Sequence, residues 1–433
     1  MQTNPQPILL DPDLAKATDL KVGKVFTPRT PVSTHALFAG RWDEMKQIVD
    51  IVSQVGLHAV LYGERGVGKT SLANVIPFIL AYFDRDADPP RESPRITLRV
   101  NANTTDTFSS VWIKVFEGIT WHEDAPSIGF KPVPGVSLVT LRDAFALGPS
   151  LTIEDVRRVL STLPDSVFVI DEFDRLPSGE ACQFTDLIKA LADGSTPSTV
   201  IIVGVAETVD QLVRDHASIT RALIQIPLER MEIKELLTII EKAEKELGIV
   251  FDKSAGDTIA MMSQGLPHYT HLVGQFSTRA ALKRLSGVVT PEDVSEGFER
   301  AVDAADQTIA KQYSVAVTSA QPAALYGHAL LACAVAAARE SDSHGYFQPV
   351  SVVDPLTAIL RRDESIPIST FNKHLVEFCD EKRGRVLERT GRTKSFRYRF
   401  RDPLMPPYVL MRGIADKLID SSDLAAFMQE SST

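Results

Sequence analysis

One octapeptide in this sequence has residue types and a spacing suited to holding phosphate. It reads Gly63-Glu64-Arg65-Gly66-Val67-Gly68-Lys69-Thr70 and matches the pattern GxxxxGK[ST]. Glycines let backbone N–H groups approach phosphate oxygens where a Cβ would intrude, and a helix that starts at the end of the loop points its positive N-terminus at the anion. We therefore expect the octapeptide and the following Ser71 to bind a nucleotide, with Lys69 bridging the β- and γ-phosphates and Thr70 offering its hydroxyl to Mg²⁺.

A second pattern places two acids at the end of an apolar run. Residues 167–170 read Val-Phe-Val-Ile and are followed by Asp171 and Glu172. In open α/β sheets, ligands bind at the carboxyl ends of the strands. Asp171 is expected to hold Mg²⁺ together with Thr70, and Glu172 to orient and deprotonate an attacking water. This glutamate is the reason to predict nucleotide hydrolysis in addition to binding.

The elements around both motifs alternate between strand and helix patterns. Strands are predicted at 57–62, 96–100, 166–170, 199–205 and 223–228, with helical patterns between them such as 153–163 and 185–192. This alternation indicates an α/β fold with a parallel sheet covered by helices on both faces. Residues 120–150, rich in proline and glycine, are interpreted as a surface insertion. After residue 228 only helical periodicity continues, which predicts a small all-helical domain.

The last part of the chain combines helices with a basic hairpin. The net charge of the chain is −10, yet residues 382–401 hold about nine basic residues and a single acid, Glu388. Helical patterns at 323–339, 355–362 and 370–380 precede predicted strands at 385–389 and 395–401, the second of which alternates aromatic residues with arginines. Helix–helix–helix–hairpin is the order of a winged helix, whose third helix enters a major groove while the hairpin touches the DNA backbone.

Two roles remain open for this predicted winged helix. Contact with duplex DNA would use basic side chains that touch phosphates, and the candidates are Lys373, Arg392, Lys394, Arg397 and Arg399. The alternative is a protein-docking module, for which the acidic remainder of the chain offers an intramolecular partner.

The remaining features of the chain bound its class and its domain organisation. The 433 residues contain no apolar run long enough to cross a membrane and no secretory leader pattern, so we expect a soluble, cytoplasmic protein. Cys182, Cys333 and Cys379 lack metal or disulfide spacing and are expected to be buried thiols. The predicted domains are an irregular N-terminal arm (1–34), a nucleotide-binding α/β domain (35–230), a helical lid (231–318) and a winged helix (319–433).

The loop, the acidic run at 171–174 (Asp-Glu-Phe-Asp) and the downstream helical lid together resemble AAA+ ATPases of the P-loop NTPase class. The resemblance covers about residues 35–318, and origin-recognition initiators and transposition-type regulators are the most similar groups. It implies ATP and Mg²⁺ as cofactors, an ATPase activity, a homo-oligomer, and an adenine beside the segment 38–44.

The resemblance also implies three further positions in the site. Arg221 precedes the fifth predicted strand, where such proteins carry an arginine finger that reaches a neighbouring subunit; the alternative is an arginine paired with a surface acid. A polar sensor is expected within 204–208, where the sequence leaves the residue open. The Gly-x-x-Arg motif of the lid is replaced by residues 265–268, so His268 is the candidate ligand, and imidazole binds phosphate more weakly than guanidinium does.

Two functions are therefore carried forward from the sequence. The first is an AAA+ ATPase that couples its nucleotide state to assembly and to engagement of duplex DNA, or of a partner, through the winged helix. The alternative is a STAND-like signalling or defence switch whose winged helix docks protein, and which would need a separate effector protein.

Overall fold

A computed structural model describes residues 9–32, 37–86, 95–125, 135–213, 219, 221–321, 324–342, 344–392, 395–420 and 423–424. The helices are α1 (Pro12–Val25), α2 (Trp42–Val52), α3 (Lys69–Asp86), α4 (Phe108–Gly118), α5 (Leu141–Ala144), α6 (Ile153–Leu160), α7 (Ser178–Asp193), α8 (Ile233–Leu247), α9 (Lys253–Met262), α10 (Pro267–Lys283), α11 (Pro291–Ala304), α12 (Gln307–Val317), α13 (Tyr326–Glu340), α14 (Val353–Ile359), α15 (Ile368–Glu377) and α16 (Met405–Ala415). The strands are β1 (His58–Gly63), β2 (Ile96–Asn101), β3 (Thr120–Ala125), β4 (Gly135–Thr140), β5 (Ser166–Asp171), β6 (Ser198–Val205), β7 (Leu223–Pro227), β8 (Val250–Phe251), β9 (Val288–Val289), β10 (Leu387–Thr390) and β11 (Arg397–Phe400).

The chain folds into two compact units. The sheet unit comprises Pro31–Glu64 and Gly68–Glu229. The helical unit comprises Met1–Thr30, Arg65–Val67 and Arg230–Thr433. The middle of the predicted phosphate loop is thus grouped with the helical unit, while the two ends of the loop belong to the sheet unit. The further division of the helical unit at residue 319 stays a prediction.

A five-stranded parallel sheet forms the centre of the sheet unit, in the order β2-β5-β6-β1-β7. Every residue of β5 is buried, because helices cover both faces of its apolar run. Two register pairs define one end of the sheet: Asn101 lies beside Asp171, and Gly63 lies beside Val205. The predicted α/β parallel sheet is therefore confirmed, and the loop and the acidic run both lie at the carboxyl ends of its strands.

The predicted irregular arm was wrong over residues 12–25, which form α1. Asp11 caps this helix by accepting the N–H groups of Asp13 and Leu14, and Pro12 occupies its first turn. The residues that α1 buries, Ala15, Thr18, Val22 and Val25, have the i, i+3, i+4 spacing of an amphipathic helix. This stripe is short and contains a polar residue, so a segment rich in Pro, Thr and Asp shows little helical periodicity.

The insertion predicted at 120–150 contains an antiparallel hairpin, β3 with β4, followed by the short helix α5; residues 126–134 lie outside the described part. Within the helical region after residue 228, α11 stops at Ala304 and α12 begins behind the cap Asp306. The expectation for the cysteines needs correction. Cys333 is buried as expected, but Cys182 and Cys379 are only half-buried.

Candidate nucleotide-binding site

The phosphate loop connects β1 to α3 through backbone conformations that require glycine. Gly68 has a φ of +98°, a value that side chains rarely adopt. At Gly63 the constraint is space, because an added Cβ would lie 2.3 Å from the carbonyl oxygen of Leu228. Glycine is therefore required at both positions for the backbone of the loop to take this course.

Lys69 is buried in the first turn of α3 and turns back towards the loop. Its Nζ donates to the carbonyl oxygens of Gly63 at 2.9 Å and Glu64 at 2.6 Å. Burial lowers the pKa of the Lys69 amine to about 8, and the carboxylates of Asp174, Asp171 and Glu64 oppose that shift. A cation held by neutral carbonyl oxygens inside a glycine loop fits a phosphate group, which would supply the counter-charge.

Asp171 ends β5 with its side chain only 3% exposed. Its Oδ1 accepts the backbone N–H of Glu172 at 2.8 Å. Its Oδ2 accepts two hydrogen bonds from Arg99, at 2.7 Å from Nη2 and 3.2 Å from Nε. Sequence reasoning missed Arg99, although an arginine between Leu98 and Val100 in β2 is a visible signal.

Arg99 also reaches the helix that follows the loop. Its Nη1 donates to Oδ1 of Asn74 on α3. Asn74 in turn donates to the carbonyl oxygen of Val32 at 3.3 Å, and the N–H of Val32 donates to Oγ of Ser71 at 3.2 Å. The hydroxyl of Ser71, predicted to bind cofactor, thus contacts the protein backbone, while Thr70 lies beside it in the first turn of α3.

Glu172 and Asp174 lie in the turn that leaves β5. Glu172 has a φ of +56°, an uncommon conformation for a residue with a side chain, and its carboxylate is 2.8 Å from Nη1 of Arg175. Asp174 accepts the backbone N–H of Val205 at 2.8 Å. Because Val205 ends β6, this bond ties the acidic turn to the segment 204–208, where a polar sensor is expected.

These groups are compatible with a magnesium nucleotide. No cluster of three or more His, Cys, Asp or Glu side chains suited to a metal occurs among the residues that the structure describes. Mg²⁺ with a nucleotide does not need one, since it is bound through one or two protein oxygens, phosphate oxygens and water. Thr70 and the buried carboxylate of Asp171 are the residues that would hold it.

A family model described as Novel STAND NTPase 1 matches residues 31–275, which is more than half of the chain. The chain belongs to this family. It is thus an NTPase of the STAND and AAA+ kind, and the P-loop fold expected from the sequence is confirmed.

Three proteins are among the solved structures similar to this STAND NTPase. The ORC2 protein of Aeropyrum pernix, in ADPNP and ADP complexes, is 13% identical with a TM-score of 0.46, over 94% of this chain and 98% of that chain. The ORC1 protein of the same organism, in complex with DNA, is 14% identical with a TM-score of 0.44, over 91% and 97%. A Walker-type ATPase of Pyrococcus abyssi is 14% identical with a TM-score of 0.48, over 89% and 99%. No curated protein matches the chain.

In the helical unit of this STAND NTPase, the other loop residues have partners of their own. Arg65 is 3.1 Å from Asp306 and 3.7 Å from Asp402. Val67 is buried, and a Cβ added at Gly66 would lie 2.8 Å from Cδ2 of Leu404. The centre of the loop is therefore packed closely within its unit.

His268, the predicted lid ligand, is bound to the backbone. Its Nδ1 donates to the carbonyl oxygen of Pro28 at 2.7 Å. Burial lowers the pKa of His268, which keeps the imidazole neutral at pH 7. Only its Nε2 remains as a candidate for contact with a ligand.

The residues predicted to act between molecules lie at the surface. Arg221 is exposed in the turn before β7, and its neighbours 214–218 and 220 lie outside the described residues. Lys373 on α15 is 79% exposed and 3.6 Å from Glu377. Arg392 is exposed at the tip of the β10–β11 hairpin, and Lys394 lies outside the described residues. Among the described residues, no contact brings Arg221, Lys373 or Arg392 to the phosphate loop.

Arg397 and Arg399 of β11 are bound by acids of the same unit. Arg397 is 2.7 Å from Asp342, and Arg399 forms an ion pair with Glu388 on the adjacent strand. Both guanidinium groups also lie over the ring of Tyr346. The expected row of arginines exists, but its charge is partly neutralised within the protein.

In the described residues, no helix is long and apolar enough to cross a bilayer.

Proposed function

We propose that this STAND NTPase binds ATP with Mg²⁺, hydrolyses it to ADP and phosphate, and uses its nucleotide state to control assembly and the engagement of a partner protein. The observation that carries the proposal is the grouping of Lys69, Asp171, Glu172 and Asp174 at the carboxyl ends of β1, β5 and β6 in the sheet unit. That edge is where ligands bind in open α/β sheets.

The loop and the residues that follow it have proposed tasks in nucleotide binding. The loop 63–68 binds phosphate oxygens through its N–H groups, and Lys69 leaves the carbonyl oxygens of Gly63 and Glu64 to neutralise phosphate. Thr70 and Asp171 hold Mg²⁺, which supplies charge neutralisation at the phosphates when bound. Ser71 follows Thr70 in α3 and borders the nucleotide. The role of His268 as a ligand stays a prediction.

Glu172 is proposed to position and deprotonate the attacking water. Its carboxylate is 42% exposed and is held by Arg175. The left-handed backbone of Glu172 turns the chain sharply after β5, and strain of this kind occurs at active sites. Release from Arg175 is then the step that makes the carboxylate available.

Arg221 is proposed to complete the site of a neighbouring copy. Its exposure in a short turn leaves the guanidinium accessible to another subunit. An arginine supplied in this way stabilises charge on the transferring phosphoryl group. Hydrolysis would then depend on assembly.

The predicted domain 319–433 is proposed to be a winged helix that docks protein. Its helices α13, α14 and α15 and the hairpin β10–β11 follow in the expected order, and Phe347 forms a bridge with Tyr398. The pairing of Arg397 with Asp342 and of Arg399 with Glu388 favours a protein surface, because these charges already have counter-ions.

Duplex DNA is the second candidate for this surface. It is favoured by the excess of basic residues between 382 and 401 and by the exposure of Lys373 and Arg392. Lys394 would add to the same patch. Such contacts would give affinity that falls steeply with salt.

One experiment tests the proposal and separates the two surfaces. ATP turnover is measured for the full chain with and without Mg²⁺, and with and without duplex DNA at low salt. Turnover that needs Mg²⁺ and is indifferent to DNA supports the partner-protein switch. Turnover stimulated by DNA, with the stimulation lost in Lys373→Gln/Arg392→Gln but retained in Arg157→Gln/Arg158→Gln on α6, supports the second candidate. Absence of both nucleotide binding and turnover would reject the proposed function.

A further inference from the structure

The carboxylate of Asp171, which is proposed to bind Mg²⁺, already accepts hydrogen bonds from other groups of the protein. Oδ2 of Asp171 accepts two hydrogen bonds from Arg99, and Oδ1 accepts one from the backbone N–H of Glu172. The Arg99 side chain is 23% exposed and that of Asp171 is 3% exposed, so water screens this pair only weakly. A cation that binds Asp171 therefore meets a guanidinium on the same oxygen.

Arg99 is held in this position from a second side. Its Nη1 donates to Oδ1 of Asn74, which lies one turn and a half along α3 from Lys69. Asn74 is itself fixed by its hydrogen bond to the carbonyl oxygen of Val32. The guanidinium thus connects the acidic end of β5 to the helix that carries the phosphate-binding lysine.

We propose that Arg99 competes with the divalent cation for Asp171 and so raises the Mg²⁺ concentration that the protein requires to bind its nucleotide. The inference rests on the proposed function. Two cations that share one carboxylate repel each other, and the repulsion is strong where the site is shielded from water. Arg99 acts through Asp171 and is therefore a positioning residue.

The test is a Mg²⁺ titration of nucleotide binding by the full chain. A fluorescent ATP analogue is bound at increasing MgCl₂, and the Mg²⁺ midpoint is compared among variants, with an EDTA series as the metal-free reference. Arg99→Gln removes the charge but retains a donor for Asp171, and we expect its midpoint to fall roughly tenfold. Arg99→Lys retains the charge, and we expect a midpoint within about twofold of the wild type.

Two further variants complete the design. Asn74→Asp keeps Arg99 but gives the guanidinium a second carboxylate, and we expect the Mg²⁺ midpoint to fall by about threefold or more. Arg95→Gln is the matched control, because Arg95 also forms a shielded ion pair in this unit, with Asp84 at 3.0 Å. Its midpoint should equal that of the wild type.

The competing outcomes are distinct. A folded Arg99→Gln protein with the wild-type midpoint overturns the proposal, and so does equal weakening of nucleotide binding with and without Mg²⁺, which would make Arg99 a phosphate ligand. If Arg99→Gln does not fold, as its thermal melting would reveal, an unchanged midpoint in Asn74→Asp overturns the proposal. If the wild type binds no nucleotide at any Mg²⁺ concentration, the proposed function itself has failed.

Discussion

Lys69 donates a hydrogen bond of 2.9 Å to the carbonyl oxygen of Gly63, the first residue of its own loop. The second carbonyl oxygen in contact with the amine belongs to Glu64, at 2.6 Å. The amine is thus held by neutral groups in a buried place, where its charge is poorly solvated. A phosphate that displaces these carbonyl oxygens would give the buried amine a counter-charge and so offset the cost of its desolvation.

Replacing Lys69 by methionine should therefore weaken nucleotide binding and strengthen the fold. We expect loss of detectable binding of an ATP analogue, because phosphate loses its cation. We expect the free energy of unfolding without nucleotide to rise by about 1–3 kcal/mol at pH 7, since burial disfavours the charged amine. Calorimetry and equilibrium denaturation provide the two measurements. Lys46→Met, at a site 67% exposed on α2, should change neither quantity.

The carboxylate of Glu172 should matter for turnover and little for binding. In Glu172→Gln we expect the rate of ATP hydrolysis to fall by about 10²–10⁴, with the dissociation constant for ATP within about threefold of the wild type. Steady-state turnover and analogue binding distinguish the two effects. Glu154→Gln is the matched control, because Glu154 also pairs with an arginine three residues later, Arg157, and it should leave turnover unchanged. Full activity of Glu172→Gln would contradict the proposed role.

A trans role of Arg221 predicts complementation between two inactive proteins. Arg221→Ala and Glu172→Gln should each hydrolyse ATP poorly alone, but their equal mixture should recover about a quarter of wild-type turnover if they assemble at random. The recovery arises where an intact Glu172 site receives Arg221 from its neighbour. If the mixture stays inactive although mixed assemblies form, Arg221 acts within its own chain or has only a structural role.

His58 should make stability depend on pH. It begins β1 fully buried, its Nδ1 accepts the N–H of Val200 at 3.0 Å, and burial lowers its pKa to about 4. Between pH 6.5 and 4 the unfolded chain binds a proton at His58 that the folded chain does not, so stability present at neutral pH is lost as the pH falls. We expect His58 to lower the free energy of unfolding by about 3 kcal/mol as the pH falls to 4.

The check on His58 is denaturation at several pH values. His58→Asn retains an acceptor for the N–H of Val200 but does not titrate in this range, so its unfolding free energy should fall less between pH 7 and 4 than that of the wild type. His122→Asn, at an exposed position of β3, should follow the wild type. Parallel pH curves for His58→Asn and the wild type would show that His58 does not titrate as expected.

The sequence predicted the strands and the loop because their signals are local. Gly63 to Thr70 and the apolar run before Asp171 carry their chemistry in consecutive residues. The contact of Arg99 with Asp171 could not be predicted, because the two residues are 72 positions apart in the sequence. Only the register of β2 with β5 brings them together. For the same reason Arg397 was expected to be available to phosphate, since its counter-ion Asp342 lies 55 positions upstream.

Helix α1 has a consequence for the order in which the protein can mature on the ribosome. Its apolar side packs on α8 and α10, and Phe26 at its end lies against Gly274, where an added Cβ would be 2.6 Å from the ring. Gln275 donates to the carbonyl oxygen of Phe26 across a separation of 249 positions. Helix α1 is synthesised before α10, so its apolar stripe stays uncovered until α10 has been synthesised. During that interval the sheet unit can fold first, and the exposed apolar stripe of α1 is a surface of the kind that favours aggregation.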